Sequence, residues 1–307
     1  MRPISLDIGM SGGSASAVGI LLTGRSLVME VAREQLRALA AVPWHGRIEG
    51  PRGAGKHLAA GLVHSLSRRV SRPFVRQSMS ALVRGLEFGR LFGWSRGGFT
   101  GAVRDVPGVL EEANQGTLFL DEIAWARRRV QGALLQLLED GEVVRIGERR
   151  ARKLDVRFLF GTNVDLDAEA AAGRFPADLL DRMGALVVRM PALKDHIEDL
   201  PELVDTILPS LAAEIGIPPR AIAPADVDRL MAYSWPGNVR QLQNALKVYL
   251  TVNAWPPVLS GAELGEREVL LRALADARGN KRKVARRFGV TPRTLYRRLE
   301  RAGLADR

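Results

Sequence analysis

Gly50-Pro51-Arg52-Gly53-Ala54-Gly55-Lys56-His57 places a glycine, four residues and then Gly-Lys between a short apolar-ended run, Trp44 to Ile48, and a run of helical character, Leu58 to Leu66. This is the spacing of a P-loop: glycines let successive backbone N–H groups converge on a polyphosphate, the following helix turns its positive end there, and Lys56 adds a full charge. His57 stands where the general pattern has a Ser or Thr whose hydroxyl ligates magnesium, so the metal must rely on another residue. Thr117-Leu118-Phe119-Leu120-Asp121-Glu122 supplies one, as an apolar strand ending in two adjacent carboxylates. Asp121 would hold the magnesium ion, and Glu122 would orient and deprotonate the water that attacks a γ-phosphate. Taken singly, the first stretch could be a glycine-rich turn and the second a buried strand with a polar exit; together they support an ATP site with Mg2+.

Both motifs must be carried by an open α/β sheet. An amphipathic helix over Ser26 to Leu39, with Leu27, Val31, Leu36 and Leu39 as its apolar set, feeds the strand Trp44 to Ile48, which is polar for a central parallel strand. Pro73-Phe74-Val75 opens a second strand and Val156 to Phe160 reads as another, ending at Thr162-Asn163. A polar residue at the carboxyl end of a parallel strand faces the ligand crevice, which makes Asn163 a candidate; capping a helix is its alternative. Gly97-Gly98-Phe99-Thr100-Gly101-Ala102 sets an aromatic residue between glycines, with Arg96 and Arg104 on either side. Such a stretch disfavours a helix interior and reads as an exposed loop with Phe99 at its tip, or as a turn that tucks Phe99 into the core.

From Leu193 to Leu250 the pattern is helical throughout. Leu200, Leu203, Val204 and Ile207 share a face, as do Val227, Leu230 and Met231, and Leu242, Ala245, Leu246 and Tyr249. Asn238 lies near the N-terminal cap of the last of these helices. Trp255-Pro256-Pro257 reads as a stiff break. Beyond it come a helix from about Glu263 to Ala277, a turn at Gly279-Asn280, a helix from Lys281 to Phe288, and a final helix from Pro292 to Ala302. Gly289 suits a left-handed C-cap, Thr291 an N-cap and Pro292 the first helical position. With Val284, Ala285, Val290, Leu295 and Leu299 as the apolar set, this is a helix-turn-helix. Arg293 and Thr294 are placed to read base edges, and Arg297, Arg298 and Lys281-Arg282-Lys283 to hold phosphates, with Thr291 at the turn; a merely solvated basic face is the alternative.

Charge agrees with that division. Residues 266–307 carry 13 Lys/Arg against 5 Asp/Glu, a net of +8, whereas the 265 before them carry 32 against 29. Such a tail gains binding free energy by releasing counterions from nucleic acid. The chain of 307 residues has no cysteine and four histidines, which excludes disulfides and thiolate metal sites and disfavours catalytic zinc. It shows no apolar run of membrane-spanning length and no secretory signal, so no membrane partner is expected and the protein is expected in the cytoplasm.

The loop Gly97 to Ala102 resembles the signature loop of the AAA+ activators of sigma-54 RNA polymerase, the bacterial enhancer-binding proteins, with Gly98 where that family has Ala. The resemblance runs from about Leu22 to the C-terminus, through Gly116 to Ile123, Gly161-Thr162-Asn163, Arg174 to Arg182 and Trp235-Pro236-Gly237-Asn238-Val239-Arg240. It implies an AAA+ P-loop NTPase with a parallel sheet over 22–172, a helical lid over 173–254, and a Fis-type helix-turn-helix domain over 255–307, after an unassigned leader over 1–21 too short to be a sensor domain. It implies further that Phe99 and Thr100 contact the sigma factor, that Asn163 is sensor I, that Arg182 is an arginine finger reaching a neighbour's nucleotide, and that Arg240 is sensor II, for which a surface salt bridge is the alternative. The implied partners are sigma-54 holoenzyme, upstream enhancer DNA and further copies of the chain in a hexameric ring. Two more departures accompany His57. Pro176 stands where many members carry a second arginine, and Ser78 stands where the family has an Asn that restrains the Walker B glutamate, so a weaker restraint is expected. The three departures leave open a DNA-bound regulator that binds ATP and hydrolyses it poorly.

Overall fold

The computed structural model describes residues 23–256, 258–259, 274, 280–287, 291–301 and 304. The leader, the helix expected over Glu263 to Ala277 apart from Leu274, and Pro257, Gly279, Gly289, Val290 and Ala302 lie outside the described residues. The chain divides into two compact units, one up to Pro218 together with Ser234–Gln243, the other Pro219–Tyr233 together with the residues from Asn244 onward.

In the first unit, β1 (Gly46–Glu49), β2 (Phe74–Ser78), β3 (Thr117–Asp121), β6 (Arg157–Thr162) and β7 (Val187–Arg189) form a parallel sheet in the order β2-β3-β6-β1-β7. Ile48 lies opposite Gly161 on one side and Val188 on the other, and Leu118 lies opposite Phe158. Leu118, Leu120, Phe158 and Phe160 enter one apolar core while Phe119, Leu159 and Ile48 enter another. That alternation is the two-residue period of a strand covered on both faces, and each such side chain contributes roughly 1.5–3 kcal/mol by its burial. Helices α1 (Leu27–Ala41) and α2 (Lys56–Ser65) supply the second core, and α5 (Arg128–Asp140) and α7 (Ala177–Arg182) the first. Between β3 and β6 the chain also forms the two-stranded hairpin β4 (Glu142–Val143) and β5 (Arg152–Lys153). The remaining helices of this unit are α3 (Glu87–Phe92), α4 (Val109–Glu112), α6 (Leu166–Ala171) and α8 (Leu200–Ile215).

Three expectations are corrected. The strand before the P-loop starts at Gly46, not Trp44, which is 63% exposed; its polar Arg47 is buried because the guanidinium meets Glu49 and Asp167. The apolar face of α1 is Met29, Ala32, Leu36, Leu39 and Ala40, while Leu27 and Val31 are exposed. The three- and four-residue steps from Met29 keep one stripe on the core, and Leu27 and Val31 fall outside it. Trp255, read as part of a stiff break, is buried in the second unit and stacks on Tyr249 with ring centroids 4.4 Å apart.

The start of α1 is held by a buried carboxylate. Asp199 accepts hydrogen bonds from the backbone N–H of Arg25 (2.7 Å) and of Ser26 (2.9 Å) and from the Ser26 hydroxyl (2.5 Å), and it meets His196 Nδ1 at 3.3 Å. In the second unit, α9 (Pro224–Ala232) buries only Leu230; Val227 is half-buried and Met231 36% exposed, so the shared face expected there is narrower. Helix α10 (Asn238–Val252) begins in the first unit, and its Leu242, Ala245, Leu246 and Leu250 are buried. The last two helices, α11 (Lys281–Arg287) and α12 (Pro292–Arg301), bury Val284, Ala285, Leu295 and Leu299 as expected.

Candidate functional site

The P-loop leaves the carboxyl end of β1 and delivers Lys56 to the first turn of α2. Gly53 has φ 78°, and a Cβ there would lie 2.2 Å from the Gly237 carbonyl oxygen, so only glycine lets the two backbones meet. Lys56, 7% exposed, donates through its ammonium to the carbonyls of Gly50 (2.8 Å) and Pro51 (3.2 Å). Burial pushes its pKa down, and the Asp121 and Glu122 carboxylates work against that. His57 follows in the same turn, half-buried; burial, with Arg76 and Arg240 nearby, lowers its pKa and favours the neutral imidazole.

A residue that sequence spacing placed only as a helix cap proves to organise this loop. Asn238, at φ 52° and 3% exposed, accepts from the Leu193 N–H (2.8 Å) and donates to the Arg52 carbonyl (2.8 Å). Two residues on, the Arg240 N–H donates to the Gly53 carbonyl (3.3 Å). The Pro236-Gly237-Asn238 turn is thus fastened to the phosphate loop, and Arg240 is brought to it.

Register then assembles the rest. Ser78 pairs across the sheet with Asp121, so the ends of β2 and β3 lie side by side. Asp121 accepts from the Glu122 N–H (2.9 Å), and Glu122 adopts a left-handed conformation at φ 55°. Backbone strain of this kind gathers where a side chain must be aimed. One Glu122 oxygen accepts hydrogen bonds from the hydroxyls of Ser78 (3.3 Å) and Ser80; the other lies 3.6 Å from the Arg52 guanidinium. Ser78 therefore reaches the glutamate despite its short side chain, and Ser80, which no sequence motif marked, shares the contact. Asn163 follows the last residue of β6 and is exposed; Asp165, not Asn163, caps α6, by accepting from the Ala168 N–H.

Arg182 ends α7 away from these groups' own contacts, 58% exposed and 3.3 Å from Glu139. Pro176 is the N-cap of α7 with φ −67°, its native ring value, and Arg174 is spent on Glu169 through two bonds of 2.6 and 2.7 Å.

The loop from Gly97 to Ala102 closes on itself, with Gly97 N–H donating to the Ala102 carbonyl (2.8 Å) and Ala102 N–H to the Phe99 carbonyl (3.0 Å). Phe99 stands 48% exposed with its ring edge-on to Trp94 at 5.8 Å, and Thr100 is exposed beside it. Val103, 79% exposed, extends the apolar tip; it lay just past the recognised motif and carried no signal of its own.

A family model of the sigma-54 interaction domain matches residues 22–189, one of the AAA+ ATPase lid domain matches 194–266, and one of the Fis-family bacterial regulatory proteins matches 262–301. The chain belongs to the sigma-54 activator family. Among its relatives, the transcriptional regulatory protein ZraR of Salmonella typhimurium is 34% identical over 94% of this chain and 70% of its own length. The C4-dicarboxylate transport regulator DctD of Pseudomonas aeruginosa is 37% identical over 92% of this chain and 64% of its own. The Nif-specific regulatory protein of Azotobacter vinelandii is 34% identical, and the chain spans 58% of it. The crystal structure of NtrX from Brucella abortus in complex with ADP superposes with a TM-score of 0.71 at 31% identity, over 94% of this chain and 70% of that one. The sheet and P-loop described above are therefore those of an AAA+ ATPase, followed by a lid and a helix-turn-helix.

Within that family frame, Gly98 has a local cause. A Cβ at Gly98 would lie 2.6 Å from the Ile146 carbonyl oxygen, and one at Gly147 would lie 2.3 Å from the Gly98 Cα, so the Phe99 loop and the hairpin carrying Ile146 meet backbone to backbone. The Ser95 N–H also donates to the Ile146 carbonyl (3.0 Å). Gly98→Ala, which restores the activator family's residue, is expected to force these loops apart and cost about 1–3 kcal/mol. An unchanged urea-unfolding midpoint in that variant would contradict the contact.

In the helix-turn-helix, Thr291 caps α12 by accepting from the Thr294 N–H (3.2 Å), and Asn280 caps α11 by accepting from the Lys283 N–H (3.1 Å). Arg282, Lys283, Thr294 and Arg297 are exposed; Lys281 is half-buried, with its ammonium 5.4 Å from the centre of the Tyr296 ring. Arg293 and Arg298 lie on the same helix, and their side chains are outside the described residues. Tyr296, 52% exposed among these cations, was not anticipated from sequence.

Proposed function

We propose that the chain is an ATP-driven activator that binds DNA upstream of a promoter and remodels sigma-54 RNA polymerase holoenzyme to the open complex. The observation that carries this reading is the exposed Phe99–Thr100 tip on the same α/β unit as a phosphate loop and a carboxylate pair. Family membership supports it, as does the ADP complex of NtrX for nucleotide binding. The Asp121 and Glu122 carboxylates fit a hard divalent cation, and the described residues hold no group of three or more candidate metal-ligating side chains. Mg2+ suits such a site because it takes one or two carboxylates along with phosphate oxygens. Asp121 would hold it, and its charge would offset that of the nucleotide phosphates.

The P-loop amides and Lys56 bind the phosphates. Glu122 takes the proton from the attacking water, Asn163 orients that water, and Arg240 senses the nucleotide from the turn fastened to the loop. Arg182, exposed and in a surface pair with Glu139, extends to the nucleotide of the neighbouring copy in a hexameric ring. Hydrolysis then moves the Phe99 loop against the sigma factor while the basic tail, through Lys281 to Lys283, Thr291, Arg293, Thr294, Arg297 and Arg298, holds DNA. The domain limits 22–172, 173–254 and 255–307 go with this assignment.

A second reading, nucleotide binding with slow turnover, draws on the contacts of Ser78, Ser80 and Arg52 with Glu122. Steady-state hydrolysis in the presence of DNA and sigma factor separates the two. Phe99→Ala is expected to abolish ATP-dependent open-complex formation on a sigma-54 promoter while ATP turnover persists. Full activation by that variant would overturn the role of the loop.

A further inference from the structure

The strands carry the nucleotide site at their carboxyl ends, and a second cleft lies at their opposite, amino ends. It has a volume of about 760 Å³ and sits between the segment after α2, the turn before β3 and the stretch that joins β5 to β6. Cavities of roughly 300–1,000 Å³ are the size that takes small ligands, although such sites are usually apolar. This one is lined by four cations, Arg68, Arg69, Arg72 and Lys153, against the two carboxylates Asp140 and Asp155.

The wall is built rather than merely charged. Arg69 spans it, donating to the carbonyls of Gly116 (2.8 Å) and Asp155 (3.1 Å) and to the Asp155 carboxylate (2.6 Å), which spends that carboxylate. Asn114 Oδ1 accepts from the N–H groups of Asp155 (3.0 Å) and Gln115 (3.1 Å). Gln115 itself is held at φ 61°, with its N–H on the Asp155 carbonyl (2.7 Å) and its side-chain oxygen accepting from Arg72 (3.0 Å). A non-glycine residue in that conformation persists only where its surroundings over-determine it. Arg68 and Lys153 face the cleft exposed and make no ion pair among the described residues.

We propose that this cleft binds a small phosphate-bearing anion, gripped by Arg68 and Arg72 on one side and Lys153 on the other. Guanidinium groups match phosphate oxygens in pairs and lysine adds a point charge, while a polar, cationic lining offers nothing to an apolar ligand. Because Lys153 belongs to β5, an occupant would tie the segment after α2 to the foot of the hairpin whose Ile146 meets Gly98. The site thereby lies beyond the nucleotide and DNA sites already described, yet on a frame that reaches the Phe99 loop.

Inorganic pyrophosphate is the probe, titrated calorimetrically into the 307-residue chain carrying Lys56→Ala so that the P-loop does not compete. One saturable site per chain is expected, weakened about tenfold by Arg68→Ala, or about 1.4 kcal/mol, and lost in Arg68→Glu with Lys153→Glu. The same two charge reversals in a chain with Lys56 intact should leave ADP affinity unchanged, which separates this site from the nucleotide site. Absence of saturable binding, or binding indifferent to both charge reversals, would overturn the proposal. Displacement of pyrophosphate by short duplex DNA would assign the cleft to a nucleic-acid backbone and overturn it equally.

Discussion

Glu122→Gln is expected to lower ATP turnover by about 10²–10⁴-fold, the usual worth of a positioned general base, while nucleotide affinity stays close to that of the parent chain. The separation follows from where each task sits. Affinity belongs to the P-loop amides and to Lys56, whose ammonium the carbonyls of Gly50 and Pro51 hold in place. Glu122 lies on another strand end, aimed by its own left-handed backbone and by the Ser78 and Ser80 hydroxyls. A carboxamide keeps the shape and accepts the same hydroxyl bonds but takes no proton. Equilibrium binding of a fluorescent ADP analogue and a steady-state phosphate-release assay read the two quantities separately. Equal loss of both would mean that Glu122 serves the binding pocket, and unchanged turnover would remove it from the chemistry. Ser78→Ala with Ser80→Ala tests the aim itself: if the hydroxyls hold the carboxylate back, turnover without sigma factor rises.

Asp199→Ala is expected to cost about 3–5 kcal/mol of folding stability, the range found when one member of a buried charged network is removed. Asp199 is 3% exposed and accepts from two backbone N–H groups and a hydroxyl, with His196 beside it. Alanine strands all of these donors at the start of α1, whereas Asn, which keeps an acceptor oxygen, should cost less. The acid limb of a pH–stability profile gives a second reading. Burial works to raise the Asp199 pKa, but the bonds from Ser26 and Arg25 outweigh it, and the net shift is downward. A depressed carboxylate pKa stabilises the fold above the unfolded value, near 3.8, and that contribution fades as pH falls through the lower folded value. His45 acts earlier in the same direction: burial, with Arg157 and Arg69 nearby, lowers its pKa from 6.5 to about 4, so acid must protonate it at a cost as pH drops through that window. Chemical denaturation at a series of pH values should show a flatter acid limb below pH 3.8 in Asp199→Ala; an identical limb would show that the network contributes nothing in acid.

Several features were legible in the sequence because they depend on neighbours along the chain. The P-loop, the Asp121-Glu122 strand end and the capped start of α12 each follow from a few consecutive residues whose backbone demands are local. The resemblance over Gly97 to Ala102 was likewise a local pattern, and it led to the family whose model matches residues 22–189. Tertiary structure alone decided the rest. Asn238 is a cap by sequence and a clasp on the P-loop in the fold, because its partners Arg52 and Leu193 are far away along the chain. Ser80 joins Glu122 only because β2 pairs with β3 in a register that sets Ser78 against Asp121. The apolar face of α1 was misassigned because Leu27 and Val31 are as apolar as the residues that pack, and only the sheet beneath selects which stripe is covered. Gly98 and the cationic cleft belong to the same class: close backbone approach and converging charge arise when segments distant in sequence are brought together, and local residue patterns do not encode that distance.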